Sequence, residues 1–287
     1  MTQLQIIGLA IKASMFLIVF ALGLRANFEQ LTYLFRHPGL LLRAVLSMNV
    51  IMLAVAIALC EWLQPHPAVR IALITLALSP VPPILPGKQM KAGGSIDYTI
   101  GLLADTAIVA IVLVPLAIEV IGRTFDVEMH EPVGKVATIV FVSIVIPLVL
   151  GMLVRRFAHS FAERIAHPIA VLGGVVLVVA CIPVLIVATP QLMPLIGNGV
   201  LICLVVFSVV GVAVGHFLGG PDPDNRTVLG LATSARHPAI PLAIASINFP
   251  DEKAVVVVVL YHLIIATIVG VPYVKWRKRA HAAEHAA

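Results

Sequence analysis

Apolar residues in this chain run on without the alternation of a half-buried strand or the single stripe of a soluble helix. A helix needs about 20 consecutive apolar residues to cross a bilayer. On that basis nine segments can be drawn, at about 4–24, 40–60, 68–92, 97–121, 135–154, 168–189, 196–218, 227–248 and 254–274. Short polar loops separate them. Among these are Arg36-His37-Pro38, the acidic stretch around Asp126, Glu128 and Glu131, Arg155-Arg156, and the run from Gly219 to Asp224. The first segment has neither a basic residue ahead of its apolar run nor a small-residue cleavage site, so it reads as a span and not a leader. Residues 280–287 are rich in Ala and His and predict a disordered tail.

Two segments break the pattern. The third reads Leu78-Ser79-Pro80-Val81-Pro82-Pro83-Ile84-Leu85-Pro86-Gly87-Lys88, and the eighth reads Ala232-Thr233-Ser234-Ala235-Arg236-His237-Pro238-Ala239-Ile240-Pro241. Proline removes a backbone donor and clashes with the preceding turn, so neither stretch can be one continuous helix. Broken backbone at membrane depth is tolerated only against protein or a watery cavity. Matching breaks in the two halves of a chain point to a transporter's binding site. Each break also carries a cation: Lys88 in the first, Arg236 with His237 in the second. The candidate crossover and substrate residues are therefore Pro86, Gly87, Lys88, Thr233, Ser234, Arg236, His237 and Pro238.

Composition excludes a soluble globule. Of 287 residues, 60% are hydrophobic and 11% charged, and the mean hydropathy is +1.07, against about 25% charged residues in an ordinary soluble domain. The net charge of +5 reflects one membrane face and not a nucleic-acid site. Arg25, Arg36, Arg43, Lys91, Arg155, Arg156, Arg164, Arg226, Lys275, Arg277, Lys278 and Arg279 fall at one set of span ends; only Arg70, Arg123, Lys135 and Lys253 fall near the other. The positive-inside rule then predicts a multi-pass cell-membrane protein with a cytoplasmic C-terminus and, with nine spans, an N-terminus outside. Cys60, Cys181 and Cys203 sit singly in apolar runs, so no metal set or disulfide framework is expected. No G-x-S-x-G, H-E-x-x-H or Walker loop is present, which argues against an enzyme, a cofactor or a primary pump.

A lone charge at the bilayer centre costs about 2.5–3.5 kcal/mol on insertion scales, so such groups pair or face water. Lys88 and Asp105 lie on consecutive antiparallel segments, where an ion pair is geometrically feasible; Asp105 is the expected charge partner. Arg236 has three candidate partners: Asp105, a backbone carbonyl of a broken helix, or an anionic substrate. Its planar fork suits a carboxylate or phosphate. Lys12, in the first span, either snorkels or faces a cavity. Asn49 and His262 read first as hydrogen-bonded core residues and second as site residues.

The chain resembles the bile acid:sodium symporter family. Phe20-Ala21-Leu22-Gly23-Leu24 followed by Phe35-Arg36-His37-Pro38 is similar to the family's M-G-L…F-(K/R)-(H/R)-P entry. The third segment stands where the family has C-P-G-G-x-x-S-N, Asp97 where it has Asp or Asn after a short turn, Asn248-Phe249 where its second crossover closes, and Tyr261-His262 where it has Trp-His. The resemblance implies an all-α integral membrane fold of nine transmembrane helices, a form lacking the first of ten spans. Two inverted repeats would cross at two broken helices, and a panel domain would move against a core domain to give alternating access. By that analogy the panel covers about residues 1–36 and 135–190, and the core about 37–134 and 191–279.

The departures from the family carry the functional expectation. Sodium-dependent members bind two sodium ions through oxygen ligands behind the crossovers. Read without gaps, their Ser-Asn becomes Gly87-Lys88, the Ser and Thr of the next helix become Gly101 and Asp105, a Glu becomes Ala232, Gln-Asn becomes Arg236-His237, and a Gln falls at Met48. Hard cations need oxygen ligands, which glycine, alanine and methionine side chains lack. One glutamate with two sodium ions leaves a single positive charge, as do Lys88 and Arg236 with Asp105. The expectation is a sodium-independent secondary transporter or facilitator of a small organic anion, with Lys88 and Arg236 in place of the sodium ions. Three rivals stand beside it. One is a sodium-coupled symporter using backbone carbonyls and Thr233 or Ser234. Another is a proton-coupled carrier using His237, since histidine titrates near physiological pH. The last is a receptor that binds without transporting. No feature of the sequence sets an oligomeric state.

Overall fold

The computed structural model of the protein describes residues 3–125, 133–196 and 199–284. They form α1 (Gln3–Gly23), α2 (Pro38–Leu63), α3 (Pro67–Leu78), α4 (Leu85–Lys91), α5 (Ile96–Phe125), α6 (Gly134–Phe157), α7 (His159–Ile196), α8 (Val200–Leu218), α9 (Pro223–Ser234), α10 (Ala239–Asn248) and α11 (Ala254–Glu284). Two short helical turns, Phe28–Leu31 and Tyr33–Arg36, connect α1 to α2. A π-turn interrupts α2 at Leu46–Ile51 and another interrupts α6 at Phe141–Val145. Among the described residues there is no strand.

Seven of these helices, α1, α2, α5, α6, α7, α8 and α11, are long and apolar enough to cross a membrane. The third and eighth apolar segments are instead pairs of short helices. Residues 79–84 separate α3 from α4, and residues 235–238 separate α9 from α10. Proline sits where it costs least, in the first turn of α3, α4 and α9 and at the N-cap of α10. Within the expected tail, residues 280–284 are helical, since α11 runs on to Glu284. His281 anchors it, with Nδ1 3.1 Å from the Asp224 carboxylate and its ring against Gly93, which has a φ of +87° and no room for a Cβ. Residues 285–287, like Asp126, Glu128 and Glu131, lie outside the described residues.

Small residues set the helix packing, as expected where lipid removes the hydrophobic drive between helices. A Cβ on Gly23 would collide with the Leu148 carbonyl, and one on Gly151 with the Phe20 carbonyl, so α1 and α6 touch backbone to backbone. Gly173 of α7 lies against Ser14 and Ile18 of α1. Leu24, Ala162 and Ala166 form a small cluster of their own with Phe20, Val154 and Ile165. Two larger clusters fill the remainder. One joins α2, α4, α5, α6 and α9, and the other α2, α3, α8, α10 and α11. Outward faces stay apolar: Val112, Leu116 and Val120 on α5 and Val175, Val178, Val179 and Ile182 on α7 are all exposed. In water such a surface would drive aggregation; in a bilayer it meets acyl chains.

Candidate functional site: the crossing of two broken helices

The two breaks touch. The His237 backbone N–H donates to the Pro80 carbonyl at 3.0 Å. Beside it, Arg236 Nη1 donates to the Ser79 carbonyl at 3.2 Å and Nη2 to the Met48 carbonyl at 2.5 Å. Around that point α3 packs on α10 and α4 on α9. Arg236 is wholly buried and is the bulkiest fully buried side chain of the described residues.

A helix that ends inside a membrane leaves carbonyls without water to satisfy them. The C-terminal end of α3 is such an end, and two side chains close it. Asn49 Nδ2 donates to the carbonyls of Ala77 (3.3 Å) and Leu78 (3.2 Å), while Arg236 takes that of Ser79. The guanidinium also places a positive charge at the negative pole of α3. The π-turn of α2 contains both Asn49 and the Met48 carbonyl that takes the second Arg236 donor.

Polar residues of the second break tie it to its neighbours. Thr233 Oγ1 and Ser47 Oγ share a 2.6 Å hydrogen bond. His237 Nδ1 accepts the Ala239 N–H at 3.1 Å and so caps α10; its Nε2 is buried without a partner. The Ser234 hydroxyl and both ring nitrogens of His262 are also buried without a hydrogen-bond partner, His262 edge-on to Phe207 at 5.6 Å. Pro86 is buried in the first turn of α4, and Pro238 is the N-cap of α10. Gly87 is exposed and would tolerate a Cβ, so no close approach explains that glycine.

The charges expected to cluster do not. Lys88 is half-buried and its Nζ donates to the Thr267 carbonyl of α11 at 3.3 Å. Asp105 is fully buried and makes no ion pair with Lys88 among the described residues. Its Oδ2 instead accepts the N–H groups of Leu34 (2.8 Å) and Phe35 (3.3 Å), in the connection between α1 and α2. The N–H groups of a short helical turn are unsatisfied donors that a nearby carboxylate serves as well as a cation would serve the carboxylate. Gly101, one turn earlier on α5, faces the same connection, close to Tyr33 and the Gln30 carbonyl. Lys12 lies on the exposed face of α1, away from the crossing. Among the described residues no group of three or more His, Cys, Asp or Glu side chains is placed to hold a metal.

Several contributors were not singled out from the sequence. Ser47 and the Met48 carbonyl act through a π-turn, which leaves no sequence signal. Gln89 Nε2 donates to the Val228 carbonyl at 2.9 Å and ties α4 to α9. Gly211 and Gly215 lie against the Thr233 and Leu229 carbonyls and bring α8 onto α9; their small-xxx-small spacing is a readable packing signal.

A model of the sodium bile acid symporter family matches residues 13–193. The chain belongs to that family. The match contains the first break, Asn49 and Asp105, whereas Arg236 and the second break lie beyond it. Members of the sodium bile acid symporter family are membrane transporters and not enzymes. A comparison with curated proteins finds no match. Membership makes this chain a multi-pass transporter of the bile acid symporter type, with a small-molecule substrate and the lipid bilayer as its surroundings.

Proposed function

We propose that the protein is a sodium-independent secondary transporter or facilitator of a small organic anion, with Arg236 as a fixed cation at the crossing in place of sodium and Lys88 as a second cation on the first broken segment. Arg236 carries this reading. Its guanidinium satisfies carbonyls of Met48 and Ser79 that converge at the crossing of the breaks. Carbonyls already accepting N–H donors beside a fixed positive charge do not suit a sodium ion, which needs free oxygen ligands and no cation at contact distance. The side chains at Gly101 and Ala232 supply no oxygen, and the Asp105 carboxylate is engaged by the α1–α2 connection. Lys88 adds a second fixed cation on the short helix α4.

The packing supports a division into panel and core. Helices α1, α6 and α7 pack on one another, and α1 and α7 share a small cluster with the end of α6. They would form the panel, about residues 1–36 and 135–190. The core, about residues 37–134 and 191–279, would hold both broken segments. Counting each broken pair as one span gives nine spans in two inverted repeats, with the basic C-terminal end in the cytoplasm and the N-terminus outside. Alternating access would come from rocking of the panel against a core whose crossing Arg236 keeps rigid.

Thermal unfolding of the purified protein in sodium chloride and in choline chloride at equal ionic strength tests this. A ligand bound only to the folded state at about 100 times its Kd adds roughly 2.7 kcal/mol, a visible rise in Tm. Equal Tm values are expected. A rise specific to sodium would overturn the reading in favour of a sodium-coupled symporter with altered ligands.

A further inference from the structure

A groove of about 370 Å³ runs between α8 and α11 on the outside of the bundle. Its walls are Val209, Val212 and Ala213 on one side and Val269 and Pro272 on the other. Pro272 lies inside α11, where it removes a backbone hydrogen bond from the helix. From Val269 to Trp276 the groove is about 10 Å long, at a rise of 1.5 Å per residue.

One end of the groove is aromatic. His216, Tyr273 and Trp276 have ring centroids 5.3 to 5.8 Å apart, and Phe217 stands beside His216. This end is built, not loose. The Tyr273 hydroxyl donates to the Arg226 carbonyl at 3.1 Å and lies 2.8 Å from His216 Nδ1. Trp276 and Phe217 remain 51% and 79% exposed, as residues at the boundary between hydrocarbon and headgroups do. Around and just past this ring the last helix carries Lys275, Lys278 and Arg279, all exposed, while the Arg277 guanidinium lies 5.5 Å from the Trp276 ring centroid. Arg279 lies one turn beyond Trp276 on nearly the same face, and Lys275 flanks it.

We propose that this groove is a binding site for an anionic phospholipid. One acyl chain lies along the valines and Pro272, the glycerol region meets the Trp276 edge, and Lys275 and Arg279 hold the phosphate, whose charge no headgroup cation offsets. The apolar floor would accept any acyl chain. The basic residues at its one polar end select the charge, as basic pockets beside transmembrane helices do. The proposal is independent of the sodium reading, because no residue of the crossing takes part.

The test uses the full chain, delipidated in detergent and titrated with phosphatidylglycerol or with phosphatidylcholine of the same acyl chains. Bound lipid is counted by native mass spectrometry. The expected result is retention of one phosphatidylglycerol at concentrations where phosphatidylcholine is lost. The Lys275→Ala/Arg279→Ala variant should weaken phosphatidylglycerol roughly tenfold and remove the preference. Trp276→Ala should lower retention of both lipids. Arg156→Ala/Arg164→Ala, which removes charge elsewhere, should keep the preference. Equal binding of both lipids by the unaltered chain would overturn the proposal. So would loss of the preference in the Arg156/Arg164 variant, which would reduce the effect to bulk electrostatics. A dimer that Trp276→Ala dissociates would assign the groove to a second copy of the chain instead.

Discussion

The fully buried carboxylate of Asp105 accepts the backbone amide of Leu34 at 2.8 Å across 71 positions of sequence. It thereby fastens the connection between α1 and α2 onto α5. If α1 belongs to a panel and α2 to a core, that connection is a hinge, and Asp105 limits its play. Hydrogen bonds to charged groups are worth about 1.5–3 kcal/mol. Asp105→Ala is therefore expected to speed amide exchange in the peptide spanning Leu34 and Phe35 by roughly tenfold or more. Asp105→Asn, which keeps an acceptor oxygen, should change it less. Hydrogen–deuterium exchange read by mass spectrometry checks this, and unchanged exchange in Asp105→Ala would remove the fastening role.

Arg236→Ala should be among the most destabilising single changes in the protein. It strips the Ser79 and Met48 carbonyls of their donors at a depth where water does not replace them. A loss of about 2–4 kcal/mol is expected in equilibrium unfolding. Arg236→Lys keeps the charge but not the fork, reaches one carbonyl at most, and should fall between. A variant as stable as the parent would show that the guanidinium is not what holds the crossing.

Lys88→Ala should be milder. Lys88 is half-buried and makes one 3.3 Å bond, to the Thr267 carbonyl. A stability loss under about 1 kcal/mol is expected in the same unfolding assay. A loss equal to that of Arg236→Ala would place both cations in one structural unit.

Gly215→Ala tests the approach of α8 to α9. The added methyl meets the Leu229 carbonyl and lies 2.6 Å from Thr233 Oγ1, so the helices must part. Overpacking of this kind costs about 1–3 kcal/mol. Gly8→Ala, inside α1 with nothing within 4 Å of the new atom, is the control and should leave Tm unchanged or raise it slightly. Equal Tm values for both variants would mean that the α8–α9 contact yields without cost.

Much of this architecture is written in local pattern. The apolar segments follow from hydropathy. Both breaks follow from proline, because a lost N–H and a ring clash act on the backbone whatever surrounds it. The partners of the charges were not legible in the same way. Asp105 and Lys88 could reach each other by register, yet each found a backbone group nearer to hand: the Leu34 amide for one, the Thr267 carbonyl for the other. Sequence spacing shows which side chains can meet along an element but not which unsatisfied peptide groups a distant segment brings. For Arg236, a broken helix's carbonyl was one of three open options, and the π-turn that supplies the second carbonyl has no composition of its own. The helical start of the tail, residues 280–284, was not legible for a similar reason. Ala and His lack core-forming power, but His281 needed only one carboxylate and one glycine surface to hold the last turns of α11.

The π-turn at Leu46–Ile51 amounts to one residue too many in a helix. Deleting a single residue there would restore the ordinary pitch and rebuild the turn, while the helix on either side would stay close to register because the widened turn absorbs the extra residue. Asn49 and the Met48 carbonyl would then leave the end of α3 together, and Arg236 would be a stranded charge. Insertion and arginine are thus a matched pair, in which loss of either makes the other a burden. A relative with side-chain oxygens at the crossing would be expected to lack both, and comparing helix length with the residue at the position of Arg236 across relatives would reveal it.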